Sequence, residues 1–149
     1  MRYDAKLNHI IQTAVMLNQV GDNVMSTLEA IEKRLRKGGV ATEVWLEDDP
    51  VKYDGRAWAL GFARFDGRYR LAIRELSPSA DPGYATPLKH SPRLLRLRAA
   101  AAIGELLDRL NDAVEAQAEE ASEAASHAEK ALGGFASLVA DESQEDDGD

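Results

Sequence analysis

The chain has 149 residues, is 44% hydrophobic and 30% charged, and carries a formal net charge of −8. That length suits one domain with appendages, and the apolar content is enough for a core. With no cysteine, disulfides, thiolate metal sites and cysteine nucleophiles are excluded.

The opening residues Met1-Arg2-Tyr3-Asp4 lead into an amphipathic pattern instead of a solid apolar run. With no secretory signal, lipidation box or membrane span in view, the expectation is a cytoplasmic protein that does not engage a membrane. The charge is uneven. Residues 105–149 hold 14 acids and only Arg109 and Lys130 as bases, a net of −12, whereas residues 1–104 sum to +4. Acidity therefore belongs to an appended C-terminal segment.

Residues 4–37 give the strongest pattern. Leu7, Ile10, Ala14, Leu17, Gly21, Val24, Leu28, Ile31 and Leu35 alternate at spacings of three and four, a heptad seam that predicts one long helix. Asp4 can cap its start, Lys33, Arg34, Arg36 and Lys37 suit its negative end, and Gly38-Gly39 supplies the stop. Ile11, Val15, Val20 and Met25 broaden the apolar surface beyond the seam, so the helix is expected to have more than one packing partner.

Residues 40–47 alternate as a half-buried strand, and an acidic loop follows at Asp48-Asp49-Pro50. Ala57–Phe65 and Arg68–Leu76 then flank Asp66-Gly67, the chemistry of a two-residue primed hairpin turn. That turn sets a register in which Phe65 faces Arg68, Phe62 faces Leu71, Leu60 faces Ile73 and Trp58 faces Glu75. Residues 77–92 hold four prolines and read as an irregular crossing, with Pro82-Gly83 as a candidate turn. Ser91-Pro92 opens a second helix over about 92–132, with a seam running Ile103, Leu107, Leu110, Val114 and then onto alanines, and ending at Gly133-Gly134. The last nine residues carry six acids and no apolar side chain, so they are expected to be disordered.

The fold class that results is α+β: a long N-terminal helix, a three-stranded antiparallel meander and a long C-terminal helix, α-β-β-β-α. Residues 1–132 form the domain and 133–149 a flexible acidic tail. A helix of 34 residues spans roughly 50 Å, whereas a strand of eight covers only ~27 Å. The overhanging seams must meet each other, a second protomer or a partner protein. Leu7, Ile10, Leu17, Val24, Leu28, Ile31 and Leu35 are the candidate helix interface, and a homodimer is expected.

No catalytic residue, cofactor or metal site is expected. The chain has no G-x-S-x-G elbow, Walker A loop, G-x-G-x-x-G or H-E-x-x-H. His9, His90 and His127 are far apart in sequence. Glu47, Asp48, Asp49 and Asp54 form an acidic group that lacks the calcium-loop spacing; an enzyme built on it is the least favoured reading. Lys89, His90, Arg93, Arg96 and Arg98 crowd the start of the second helix, where cations oppose the macrodipole. Arg68, Arg70 and Arg74 share one face of the hairpin. Lys89, His90, Arg93, Arg96, Arg98, Arg70 and Arg74 are candidate contacts for an anion or an acidic partner.

Small size, acidity and a strand meander between helices are similar to the economy of bacterial secretion chaperones, although no strand pattern follows the second helix. Two long heptad helices, surplus apolar helix surface, an acidic solubilising tail and the absence of a catalytic grouping point to a non-enzymatic adaptor or chaperone-like interaction module that self-associates through its heptad helices. The alternative is nucleic-acid or anionic-ligand binding through residues 89–98 and the hairpin arginines, modulated by the acidic tail.

Overall fold

The computed structural model describes residues 2–76 and 84–146, with the side chains of 136, 137 and 140–146 left aside. The chain divides into two units, residues 1–111 and 112–149. The architecture is mixed α+β, with helix at both ends and an antiparallel sheet between them.

Helix α1 runs Arg2–Lys37. It stops where the glycines predict: the Val40 amide reaches back to Leu35 O, the Gly39 amide to Arg36 O, and Gly39 sits at φ +78°. That double bond with a left-handed glycine is the Schellman closure.

Among the described residues the sheet has five strands where three were expected: β1 Val44–Trp45, β2 Val51–Tyr53, β3 Arg56–Phe65, β4 Arg68–Glu75 and β5 Thr86–Pro87. The β3–β4 hairpin has the predicted register throughout, from Phe65 opposite Arg68 to Trp58 opposite Glu75. The meander needs correction on its first side. Residues 40–47 pair with β3 at Val44 and Trp45, and Val51–Tyr53, just past the acidic loop and assigned no strand from sequence, return to β3 as β2. Both occupy one edge of β3, interrupted around Pro50, which has no amide to donate to a ladder. A second Asp-Gly pair makes the return: Asp54 and Gly55 at φ 52° and 70° join β2 to β3 as Asp66 and Gly67, at 49° and 82°, join β3 to β4. Positive φ at both central residues marks the same primed turn.

One sheet face forms the core. Leu60, Phe62, Leu71 and Ile73 are at most 2% exposed and pack with Leu28 of α1, Leu46 and Leu88. The opposite face is built from small residues, and it too is closed. Ala59, Ala63 and Ala72 are buried, and the Trp45 ring lies over Gly61 so closely that a Cβ on Gly61 would overlap it. Arg74 stacks on Trp45, 4.4 Å from the ring centroid, and pairs with Glu47. The indole Nε1 donates to Glu43 at 2.8 Å.

The single second helix also needs correction. It is two helices, α2 Arg93–Ala100 and α3 Ile103–Asp146. Pro92, expected as the first helical residue, stands at the α2 cap, and the Ser91 hydroxyl donates backward to Leu88 O, closing a 3₁₀ turn at Leu88–His90. The break at Ala101-Ala102 shifts the phase of the apolar face. Leu106, outside the predicted seam, is completely buried beside Leu110. Helix α3 passes through Gly133-Gly134, where a stop was expected, because flanking alanine and leucine favour helix. In the second unit, no described side chain is buried. Part of the expected disordered tail, residues 147–149, lies outside the described residues, as does the Pro82-Gly83 turn.

Substituting Gly61→Ala should displace the Trp45 ring and lower stability by about 1–3 kcal/mol, the usual cost of overpacking. Urea unfolding would show the lower midpoint, and tryptophan fluorescence the altered ring environment.

Candidate functional site

The cations singled out in the sequence do not gather in one place. Arg93 lies along α1, its side chain against Gly21 and its guanidinium on Asn18 Oδ1. Arg96 donates to Lys89 O at 3.2 Å, and Arg98 to Lys52 O at 2.9 Å. Arg74 is taken by Trp45 and Glu47. These four tie α2 to its neighbours and β4 to β1. His90 is exposed, as are His9 and His127.

The remaining two, Arg70 and Lys89, do come together, with cations from a third element. A cleft of about 630 Å³ opens between the C-terminal half of α1, the β3–β4 turn and the 3₁₀ turn. Lys33 and Arg36 line it from α1, Arg68 and Arg70 from β4, and Lys89 from the 3₁₀ turn, with Met25 and Phe65 as apolar wall. The carboxylates are Glu29, Glu32 and Asp66.

Glu32 organises this cleft. It is 9% exposed, and its Oε2 accepts the Leu71 amide at 2.9 Å. That amide belongs to β4 but points away from β3, so without the carboxylate it would be an unpaired buried donor. The other oxygen faces Arg36 at 3.6 Å, one helical turn on, and Arg70 Nε at 3.8 Å. Among the described residues, Lys33, Arg68 and Lys89 meet no carboxylate and make no side-chain hydrogen bond. The sequence offered a signal for this site: Glu32 stands beside the seam with Arg36 at i+4. The basic last turns of α1 satisfied the macrodipole argument, which hid the second role of Lys33 and Arg36.

The acidic loop after β1 is engaged in structural pairing. Asp48 binds Arg109 of α3, and that hydrogen bond holds its carboxyl below the usual range. Glu105 shares a hydrogen bond with Asp49, which pushes its carboxyl above the usual range. Among the described residues, no group of three or more His, Asp or Glu is arranged to hold a metal ion.

The candidate helix interface is divided. Leu28 is buried in the core, and Val24 and Leu35 pack partly against it. Ile31, with Val24 and Leu28, lines an apolar groove of about 320 Å³ against Ala100 and Ile103. Leu7, Ile10 and Leu17 are 55%, 61% and 51% exposed, and no described residue before Gly21 is buried. No described helix is long and apolar enough to cross a membrane.

No protein-family model, curated protein or solved structure matches the chain.

Replacing Glu32 by Ala should leave the Leu71 amide unsatisfied and cost about 1–3 kcal/mol, read as a lower urea midpoint. The raised Glu105 carboxyl implies an ionised form that weakens the fold near neutral pH and a protonated form that does not. Glu105→Gln should therefore unfold at higher urea than the parent at pH 7, with the gap closing as pH falls through the raised pKa. Asp48→Asn should do the reverse at pH 7. Its deficit should close as pH falls through the lowered Asp48 pKa, because the parent's advantage exists only while that carboxyl is ionised.

Proposed function

We propose that this chain is a non-enzymatic protein-interaction module that self-associates through the N-terminal half of α1. One observation carries the reading. Tyr3, Leu7, Ile10, Ile11, Val15 and Leu17 are all more than half exposed, and at about 100° per residue they fall within an arc of roughly 160° on one helix face. An exposed apolar stripe of this kind marks an interaction site.

A second copy is the occupant that the pattern favours. The stripe continues without a break in heptad phase into half-buried Val24 and Ile31, which line the apolar groove with Ala100 and Ile103. A symmetric pair needs stripe and groove on the same protomer, since each surface meets its own copy across a two-fold axis. Six large side chains along roughly four helical turns supply much of the ~800 Å² per partner found in standard interfaces. An adaptor or chaperone-like role follows if the paired helices hold a further protein.

Light scattering on the full chain should give a dimer mass. The triple variant Leu7→Glu, Ile10→Glu, Leu17→Glu should give a monomer with nearly the parent's urea midpoint, because those residues support no core. A monomeric parent over micromolar concentrations would sink the proposal.

A further inference from the structure

We infer that the cleft around Glu32 is a binding site for a small phosphate-bearing ligand. Its volume of about 630 Å³ falls within the roughly 300–1,000 Å³ typical of small-molecule pockets. Five cations from three separate elements line it against three carboxylates. Of those carboxylates, Glu32 is already occupied by the Leu71 amide, Arg36 and Arg70.

What remains is an excess of positive charge held in a concave surface without an internal partner. Among the described residues, Lys33, Arg68 and Lys89 are exposed and meet no carboxylate, and they stand on α1, β4 and the 3₁₀ turn. Charge left unneutralised on a surface costs little when each cation faces open water. Here the cations share one cleft, so each raises the potential felt by the others, and the arrangement favours a multivalent anion.

The framework is rigid where it matters. Arg70 is held beside the free cations by Glu32, which is itself fixed by a backbone amide. A guanidinium fixed in this way is preorganised for bidentate contact with phosphate oxygens. A monocarboxylate would neutralise only one of the three unpaired cations, whereas a doubly or triply charged phosphate group engages all of them. Phe65 and Met25, both half-buried in the same wall, offer apolar surface to the organic part of such a ligand. A concave, three-sided charge arrangement suits a compact ligand better than the extended cationic track that a nucleic-acid backbone requires.

The test is an amide chemical-shift titration of the full chain with inorganic pyrophosphate as probe. Saturable shifts should appear at Lys33, Arg68, Arg70 and Lys89. The double variant Arg68→Ala, Lys89→Ala leaves the Glu32 bonds intact and should weaken binding by at least about tenfold. Arg56→Ala, on the far end of β3, should change nothing. Succinate, a dicarboxylate, should bind at least about tenfold more weakly than pyrophosphate. The inference is overturned by shifts that do not saturate, by equal binding in the double variant, or by succinate binding as tightly. A single-stranded oligonucleotide whose footprint runs well beyond these residues and displaces pyrophosphate would also overturn it, in favour of nucleic-acid binding.

Discussion

Where α1 meets the sheet, the buried Glu32 carboxylate takes up the Leu71 amide that points away from β3, and Arg36 and Arg70 close around it. A buried carboxylate is tolerated only where hydrogen bonds and countercharges replace its water; here Arg36 comes from the same helix, and Arg70 and the Leu71 amide from adjacent positions of β4. The helix cannot rotate or slide along β4 without breaking the amide bond. Leu28, one turn earlier, is thereby aimed at the core, and Lys33, one residue later, is aimed at the cleft. One polar contact sets both the packing of the helix and the composition of its charged flank.

That fixing explains why a single seam serves two purposes. From Leu28 onward α1 is held against the sheet, and its apolar residues work as ordinary core. Before Gly21 nothing in the described structure covers them. Gly21 marks the change: it is buried under the Arg93 side chain, which reaches across to Asn18. A larger residue there would press on Arg93, whose nearest carbon is 3.4 Å from a built Cβ. This glycine of the heptad seam is where α2 meets α1 and the helix passes from core to open surface.

Much of this fold is legible in sequence, and the parts that are not share a physical cause. The Asp66-Gly67 turn leaves only one register for the alternating runs beside it, and every pair follows. The α1 stop is legible for the same reason, since only glycine takes the left-handed position at Gly39 without strain. The short strands escape because two or three residues carry no period. The second Asp-Gly pair was the available signal for β2, obscured by the acidic loop before it. The kink at Ala101-Ala102 is invisible because alanine is the best helix former, so only packing can dictate a break there. The cleft is the hardest case: its cations lie far apart in the chain, and only the fold brings Lys33, Arg68 and Lys89 around one cavity.

Both margins of the sheet carry a proline. On the β3 side, Pro50 interrupts the strand between β1 and β2, and on the β4 side Pro87 ends the two-residue β5. Glu32 occupies the amide that β5 leaves uncovered at Leu71. An unpaired strand margin is the usual template for adding a foreign strand and growing fibrils, and here each margin is short, broken or already bonded. The chain can therefore display a long apolar helix face and still resist β-type aggregation.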